Sequence, residues 1–444
     1  MTLSVAIVGS GPAGFYTADA LLEANPACEI DIIERLPTPY GLIRAGVAPD
    51  HAKTKNVARA YEKIATNPRV RYYGNIEIGR DLTIAELRAR YDAVVLATGA
   101  SVDRKLGIPG DDKPGVLGVA SFVGWYNGHP DFADLKPGLS TETVVVIGIG
   151  NVAVDVARVL VKTPKEMAAT DLTDYSAEAI RAAPIRHVRM FGRRGPVEAR
   201  FTNVELREMG HLEDAAPIVD PAQLPGTVTG EHSERDLRMI EKNLATLRDF
   251  SKIEPGTRRK RVHFEFFANP VEILGSARVE GIRMERTKVA DGRAVGTGEI
   301  FDVPCGLVIP AIGYYSEPIE GVPFDKKRGV VVNADGRVEP GLYAVGWIKR
   351  GPSGVIGTNK PDGDLAAEQI ATDLGAGGGK PGRAGLERLI KERKLRAVGF
   401  AEWKRIEAAE VANARPGAPR RKFFRVADML AVLDDTVRSV GALG

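Results

Sequence analysis

Two glycine-rich runs share a residue spacing that can bind a pyrophosphate. The run GSGPAG at residues 9–14 follows an apolar stretch, and the run GIGNVA at residues 148–153 follows a second one. In a G-x-G-x-x-G turn between a strand and a helix, the first glycine makes the turn and the second admits the pyrophosphate. The third glycine lets the helix pack closely on the strand. In the first run these glycines are Gly9, Gly11 and Gly14, so two dinucleotide-binding units are expected.

The residue type at the end of the next strand distinguishes the two dinucleotides. The apolar run at 30–33 leads to Glu34, a carboxylate that can accept hydrogen bonds from an adenosine ribose. This fits FAD or NAD equally. The run at 185–191 leads instead to Arg193 and Arg194, at the place where the 2′-phosphate of NADP lies. Two charge-assisted hydrogen bonds favour NADP over NAD by about 3 to 6 kcal/mol. The alternative to the ribose contact is a solvated Glu34, and the alternative to the phosphate site is a solvated turn that carries Arg193 and Arg194.

Two sites of different preference in one chain indicate FAD as the resident cofactor and NADPH as the exchanging substrate. This is the organisation of a flavoprotein reductase. The apolar run at 93–99 has a counterpart at 307–313, after the second glycine motif. We therefore predict an α/β fold of two Rossmann-like dinucleotide-binding domains, with the NADP domain (105–315) inserted into the FAD domain (1–104 and 316–444). We interpret residues 375–385 as a flexible linker before a helical tail.

Composition excludes several other classes of protein. The 444 residues are 44% hydrophobic and carry a net charge of only +3, so no nucleic-acid partner is expected. The two cysteines, Cys28 and Cys305, lack a C-x-x-C partner, which excludes a redox dithiol and a four-thiolate iron-sulfur cluster. The most apolar long window, residues 143–161, contains charged residues, so no membrane span is expected. Without a recognisable leader, the chain is expected to be cytoplasmic, and the histidine spacing predicts no metal site.

Four longer motifs resemble those of one family. They are PYGLIRAGVAPDH at 39–51, GRRGP at 192–196, FTNVELREM at 201–209 and GWIKRGPSGVIGTN at 346–359. These runs are similar to the adrenodoxin-reductase type of ferredoxin-NADP+ reductase, and the likeness extends to about residue 375. The resemblance implies hydride transfer from NADPH to bound FAD, followed by single-electron transfer to a ferredoxin-type iron-sulfur protein.

The resemblance also implies roles for individual residues. FAD contacts are implied at Ala13, Glu34, Leu42, Ile78, Trp347, Gly354, Val355 and Ile356. NADP contacts are implied at Arg104, Ile149, Gly150, Asn151, Val152, Arg193, Arg194 and Glu205, with Gly354 near the nicotinamide. His51 and Glu208 match the family's polar pair beside the flavin ring and are the candidate catalytic residues. Ile149 departs from the family, which often has Gln or Asn at this position.

Three features of the sequence each allow two interpretations. The glycine-rich run 351–357 leads to a helix expected to begin near Gly363, whose N–H groups can stabilise negative charge on a reduced flavin; the adjacent Trp347 packs on the flavin or only in the core. His51 manages protons during flavin reduction or is structural. The basic residues Arg235, Arg238 and Lys242, with the run at 258–261, dock an acidic partner or form a solvated face.

Two other functions remain alternatives. One is an NADPH-dependent flavin monooxygenase, although the run at 122–129 does not match the monooxygenase signature, since His129 stands one position late. The other is a non-catalytic flavoprotein that senses NADP and regulates a partner.

Overall fold

The computed structural model describes residues 2–228 and 230–441. The chain divides into two compact units. Unit 1 comprises Met1–Val102, Asn127–Pro130 and Tyr314–Gly444, and unit 2 comprises Asp103–Tyr126 and Asp131–Gly313. Each unit contains a parallel sheet with helices, which confirms the predicted α/β class.

The strands are, in chain order, β1 (Ser4–Val8), β2 (Glu29–Ile33), β3 (Val70–Tyr73), β4 (Ala93–Leu96), β5 (Val102–Asp103), β6 (Thr143–Ile147), β7 (His187–Phe191), β8 (Ala215–Val219), β9 (Lys260–Glu265), β10 (Ala268–Leu274), β11 (Gly281–Ala290), β12 (Arg293–Pro304), β13 (Leu307–Pro310), β14 (Tyr314–Tyr315), β15 (Phe324–Asp325), β16 (Val330–Val331), β17 (Arg337–Glu339) and β18 (Leu342–Ala344).

The α-helices are α1 (Pro12–Ala24), α2 (Leu42–Ala45), α3 (Ala52–Lys55), α4 (Ala58–Ala65), α5 (Ile84–Arg90), α6 (Val119–Asn127), α7 (Asn151–Val161), α8 (Pro164–Met167), α9 (Asp174–Ala182), α10 (Asn203–Glu208), α11 (Glu234–Phe250), α12 (Trp347–Arg350), α13 (Asn359–Leu374), α14 (Gly382–Glu392), α15 (Phe400–Ala412) and α16 (Val426–Gly441). Among the described residues, none of these helices combines the length and the apolar composition needed to cross a bilayer.

The main sheet of unit 1 has the strand order β17-β18-β4-β1-β2-β3. All neighbouring strands in it are parallel except β17 and β18. Every residue of β1 is buried. Val5 and Ile7 belong to one apolar cluster and Ala6 and Val8 to another, because successive side chains point to opposite faces of a strand. The sheet is therefore covered on both faces, as expected for a continuous apolar strand.

Unit 2 contains a parallel five-stranded sheet in the order β13-β6-β7-β9-β8. The strand that precedes the glycine motif, β6, lies between β7 and β13, just as β1 lies between β2 and β4. In parallel sheets, ligands bind at the carboxyl ends of the strands, where the strand order reverses. A separate antiparallel sheet, β10-β11-β12, follows β9.

Two sequence predictions in unit 1 are wrong. The helix expected to begin near Gly363 begins at Asn359. Gly363 is instead an internal contact, since a Cβ there would lie 2.8 Å from the backbone nitrogen of Thr17 in α1. The segment 375–385 is not a free linker, because Gly378 N–H donates to Asp92 at 2.8 Å and α14 already begins at Gly382. In both places, glycine serves close packing rather than a helix start or chain flexibility.

Candidate functional site

The first glycine turn in unit 1 leaves an opening for a ligand. Gly9 has φ +110°, and a Cβ on it would lie 2.5 Å from the Ala97 carbonyl oxygen; a Cβ on Gly14 would lie 2.1 Å from the Gly9 oxygen. The fold itself therefore requires both glycines. A Cβ on Gly11, in contrast, would meet nothing within 4 Å. No side chain caps the N-terminus of α1, so its N–H groups remain available to a pyrophosphate. These residues fit the diphosphate of FAD.

The second turn, in unit 2, repeats this arrangement. Gly148 has φ +136°, and its Cβ would lie 2.3 Å from the Ala311 oxygen, whereas a Cβ on Gly150 would meet nothing within 4 Å. No side chain caps the N-terminus of α7. Its first residue, Asn151, accepts a hydrogen bond from Thr202 N–H at 2.7 Å and so fixes the segment that enters α10. The half-buried Val152 follows in the same turn.

Ile149, the departure from the family pattern, has a packing role within unit 2. A Cβ on Gly192 would lie 2.2 Å from Cδ1 of Ile149. The isoleucine side chain therefore fills the space beside Gly192, and Gly192 must lack a side chain. The hydrocarbon side chain offers no hydrogen bond to a ligand at this position.

Glu34 follows β2 directly and is half-buried. One carboxylate oxygen accepts hydrogen bonds from Ser10 N–H at 3.0 Å and Ser10 O–H at 2.7 Å, and the other accepts from Leu36 N–H at 3.1 Å. The strand end and the first glycine turn thus hold the carboxylate in place. Because each carboxylate oxygen has about two lone pairs, it can still accept a hydrogen bond from a ribose hydroxyl.

The two arginines after β7 differ in their own contacts. Arg194 is half-buried and donates to the Gly292 carbonyl at 3.3 Å. Arg193 is exposed, and within the described part of the chain its guanidinium has neither an ion pair nor a hydrogen bond. Its backbone is nevertheless fixed, since Thr287 Oγ1 donates to the Arg193 carbonyl at 2.7 Å. A guanidinium without a carboxylate partner on a fixed backbone is suited to bind a phosphate.

A buried arginine holds two of the predicted carboxylates in unit 2. The Arg158 side chain is 0% exposed and lies 2.8 Å from Asp155, 3.8 Å from Glu205 and 3.4 Å from Glu208. A buried cation needs such partners, because an unpaired charge away from water is costly. Arg158 is thereby a positively charged partner of both Glu205 and Glu208. The spacing of three residues between Asp155 and Arg158 is the sequence signal for this pair.

The candidate flavin-facing residues of unit 1 include exposed apolar side chains. Leu42, at the start of α2, is 45% exposed, and Val355 is 64% exposed. Ile356 and Ile78 are half-buried, and Gly354 has φ +85°. The remaining positions are less exposed: the Trp347 ring stacks on Tyr314 with the ring centres 5.9 Å apart, and Ala13 is buried, with 8% of its surface exposed. Val355 lies within the glycine-rich run 351–357, and its exposed apolar side chain, like that of Leu42, is suited to be covered by a planar ligand.

Asp362, which is not among the predicted site residues, organises this loop. It lies in the first turn of α13 and accepts from Gly346 N–H at 3.1 Å and from Lys349 at 3.1 Å. It also pairs with Arg350. The sequence signal was an acid in the first turn of a helix, a common capping position. Asp362 therefore fixes both ends of α12, the helix that carries Trp347.

His51, Glu208 and Arg104 are distributed over the two units. His51 in unit 1 is half-buried at the N-cap of α3, and its carbonyl accepts from Thr54 N–H at 3.1 Å. Glu208 ends α10 in unit 2. Arg104, also in unit 2, is half-buried, and its N–H donates to Gly313 at 3.2 Å.

The two basic stretches of unit 2 are not equivalent. Arg235, Arg238 and Lys242 lie exposed on α11, opposite its buried residues Ile240 and Leu244. The run at 258–261 is largely engaged within unit 2, since Arg259 pairs with Asp214 at 2.6 Å and Lys260 donates to the Leu160 carbonyl at 3.2 Å. On α11, Arg238 pairs with Glu234 at 3.4 Å, whereas Arg235 and Lys242 have no ion pair among the described residues, so α11 carries the less engaged of the two basic stretches.

Comparisons with known proteins agree with these features. Residues 3–193 match the family model described as pyridine nucleotide-disulphide oxidoreductase. The chain is 42% identical to human NADPH:adrenodoxin oxidoreductase, an alignment that covers 97% of this chain and 92% of that protein. It is also 42% identical to the NADPH-ferredoxin reductase FprA of Mycobacterium tuberculosis over 96% of this chain and 98% of that one. A solved structure of M. tuberculosis FprA in complex with NADPH superposes with a TM-score of 0.93, at 40% identity and covering 97% and 99% of the two chains.

Proposed function

Since the chain belongs to the family of NADPH:adrenodoxin and NADPH-ferredoxin oxidoreductases, we propose that it catalyses the ferredoxin-NADP+ reductase reaction of the EC 1.18.1.2 type. It is an FAD- and NADPH-dependent oxidoreductase that passes electrons to a ferredoxin- or adrenodoxin-type iron-sulfur protein. One observation carries the finer proposal: an acid follows β2 in unit 1, while two arginines follow β7 in unit 2, and the Arg193 side chain has no ion pair or hydrogen bond among the residues that the structure describes.

In this proposal, unit 1 holds FAD. Gly9, Gly11 and Gly14 with the N-terminus of α1 bind its diphosphate, and Glu34 binds the adenosine ribose. The open position at Gly11 supports this assignment, since no contact within the protein requires a glycine there. Ala13, Leu42, Ile78, Trp347 and residues 354–356 provide further contacts to FAD. When bound, FAD accepts a hydride and releases electrons one at a time, which no side chain of the chain can do.

Unit 2 binds NADPH by the parallel arrangement. Residues 149–152 bind the pyrophosphate, Arg193 and Arg194 bind the 2′-phosphate, and Arg104 and Glu205 bind other parts of the nucleotide. We propose that His51 and Glu208 hold or move a proton beside the flavin ring. The domain assignment is then FAD for residues 1–104 and 316–444 and NADP for residues 105–315.

We further propose that the acidic iron-sulfur protein docks on the exposed face of α11 that carries Arg235, Arg238 and Lys242. A cationic face raises the rate of encounter with an acidic partner and orients it. We place the reaction in the cytoplasm, because Cys28 and Cys305 are both free, as is usual in a reducing compartment.

Anaerobic addition of NADPH to the purified holoprotein tests the function. We expect loss of the oxidised flavin absorption, followed by reduction of an added [2Fe-2S] ferredoxin that slows when salt is raised. Arg193→Ala combined with Arg194→Ala should reduce the preference for NADPH over NADH by roughly a hundredfold, the low end of two charge-assisted bonds because Arg193 is exposed.

A matched control removes two positive charges that precede β7 in the sequence, whereas Arg193 and Arg194 follow it. Arg181→Ala combined with Arg186→Ala changes exposed residues just before β7 and should leave the preference within about twofold. Tight NADPH binding without flavin reduction would refute the proposal in favour of a sensor. Oxygen consumption stoichiometric with an organic substrate would refute it in favour of a monooxygenase.

A further inference from the structure

A cavity beside the arginine turn of unit 2 contains a third arginine. The cavity has a volume of about 500 Å³ and is lined by Arg193, Arg194, Asn269, Glu285, Thr287 and Arg293, with backbone from the tip of the β11–β12 hairpin. This volume falls in the range typical of nucleotide-sized ligands, about 300 to 1,000 Å³. Arg293 lies about a hundred residues after the arginine turn in the sequence, and no sequence motif connects the two.

A tight turn places Arg293 at this cavity. Ala290 pairs with Arg293 across a two-residue turn formed by Asp291 and Gly292, which have φ +48° and +71°. Positive φ at both central residues is the pattern of a type I′ hairpin turn, for which Asp-Gly is strongly preferred. Arg293 therefore begins β12 at a fixed position and does not lie on a long loop.

Hydrogen bonds connect this hairpin to the arginine turn. Arg194 donates to the Gly292 carbonyl at 3.3 Å, and Thr287 donates to the Arg193 carbonyl at 2.7 Å. Phe267 bridges the two segments, since its N–H donates to the Arg194 carbonyl at 3.2 Å and its own carbonyl accepts from Thr287 N–H at 2.9 Å. The backbones that carry the three arginines are thus held in one connected network.

The charges at the cavity are unbalanced. Within the described residues, neither Arg193 nor Arg293 has an ion pair or side-chain hydrogen bond. The one carboxylate in the lining, Glu285, accepts from Gly298 N–H at 3.0 Å. The three arginines and one glutamate among the lining residues sum to a charge of +2, which matches a phosphate monoester of about −1.5 to −2 at pH 7.

We propose that Arg293 is a specificity-determining residue that binds the 2′-phosphate of adenosine nucleotides together with Arg193 and Arg194. The inference rests on the proposed function and adds a residue from the antiparallel sheet to the NADP site. Arg293 exerts its effect only on ligands that carry the 2′-phosphate. It contributes to the choice of NADPH over NADH and not to binding of the pyrophosphate.

Calorimetric titration of the holoprotein with 2′,5′-ADP and, separately, with 5′-ADP tests this inference without any catalytic readout. Arg293→Ala should weaken 2′,5′-ADP roughly five- to thirtyfold, as expected for one partly exposed charge-assisted bond. The affinity for 5′-ADP should stay within about twofold, and the effect should shrink as salt is raised. Arg293→Lys should recover part of the loss, since it keeps the charge but not the planar fork.

Two further variants serve as controls of opposite kinds. Lys288→Ala removes a positive charge from β11 at an exposed residue that does not line the cavity, so it should leave both affinities unchanged. Glu285→Gln removes the competing negative charge and keeps an acceptor for Gly298, so it should strengthen 2′,5′-ADP binding.

The outcomes separate this inference from the proposed function. If the unmodified protein prefers 2′,5′-ADP but Arg293→Ala changes neither affinity, or changes both equally, the role of Arg293 is refuted while the Arg193–Arg194 assignment stands. If the unmodified protein does not distinguish the two nucleotides, the 2′-phosphate assignment of all three arginines is refuted.

Discussion

Glu410→Gln should destabilise unit 1 far more than its small change in shape implies. The Glu410 side chain is 0% exposed, and its carboxylate accepts two hydrogen bonds from the Arg44 guanidinium, at 2.9 and 2.5 Å. Phe423 N–H also donates to it at 2.9 Å. Arg44 lies in α2, beside Leu42, and its guanidinium covers the ring of Trp403 at 5.1 Å. The C-terminal helices thereby hold the segment that carries predicted FAD contacts.

The magnitude follows from burial of both partners. Arg44 is only 10% exposed, so replacing the carboxylate removes a bidentate counter-charge from a cation held largely away from water, and it also removes a carboxylate that lies 3.5 Å from Arg420. Removing one member of such a pair costs about 3 to 5 kcal/mol. Because glutamine keeps the volume and one acceptor, we expect a loss near the lower end, about 3 kcal/mol. The double variant with Arg44→Met should recover much of the loss, since the cation that forms the shortest pair with this carboxylate is then also removed.

Urea unfolding followed by circular dichroism, at one fixed FAD concentration, measures the difference. The matched control is Glu339→Gln, which breaks another 2.5 Å pair to an arginine, Arg88, with side chains 36% and 34% exposed. This change should cost less than about 1 kcal/mol. The Glu410→Gln variant should also release FAD more readily. Equal, small losses for the two variants, with unchanged FAD retention, would refute the reasoning.

Two other predictions concern pH and the first glycine turn. Burial, with the nearby charge of Arg189, lowers the pKa of His263 to about 4. The contribution of neutral His263 to the free energy of unfolding, about 3 kcal/mol, is therefore present above pH ~6.5 and is lost as pH falls toward 4. His263→Gln should reduce the difference between the free energies of unfolding measured in urea at pH 7.5 and at pH 5. An unchanged difference would contradict burial as the cause. The Gly11→Ala variant should fold but lose FAD affinity, whereas Gly14→Ala should lower the thermal unfolding temperature, because its Cβ would lie 2.1 Å from the Gly9 oxygen. Flavin content measures the first effect and circular dichroism the second. The reverse pattern would contradict the assignment.

The elements that position the dinucleotides could be predicted because their signals are local. An apolar run, a glycine turn and the next charged residue all lie within one strand-turn-helix-strand unit, so Glu34 and Arg193 follow strands as expected. The predictions that were wrong concerned a helix start near Gly363 and a flexible linker around Gly378. Gly363 contacts α1 and Gly378 donates to Asp92, and such contacts depend on residues far away in the sequence.

Residues that act through tertiary contacts could not be predicted in the same way. Arg158 meets Glu205 only after α7 and α10 pack together, and Asp362 meets Gly346 across the loop before α13. Arg293 reaches the arginine turn through the hairpin that follows β11. The Asp-Gly pair before it was a readable turn signal, but the sequence did not say which side of unit 2 that turn faces.

The pairing of arginines separates those that maintain the fold from those left for a ligand. The side chains of Arg44 and Arg158 are only 10% and 0% exposed, and each meets a carboxylate supplied by another element, Glu410 in one case and Glu205 in the other. A net charge of +3 conceals this distinction, because it counts every arginine alike. Arg193 and Arg293 are exposed around one cavity and, within the described residues, have no carboxylate partner. Glu285 is the one carboxylate in the lining of that cavity and offsets only part of their mutual repulsion, so a ligand that carries a 2′-phosphate should bind more tightly than the same ligand without it.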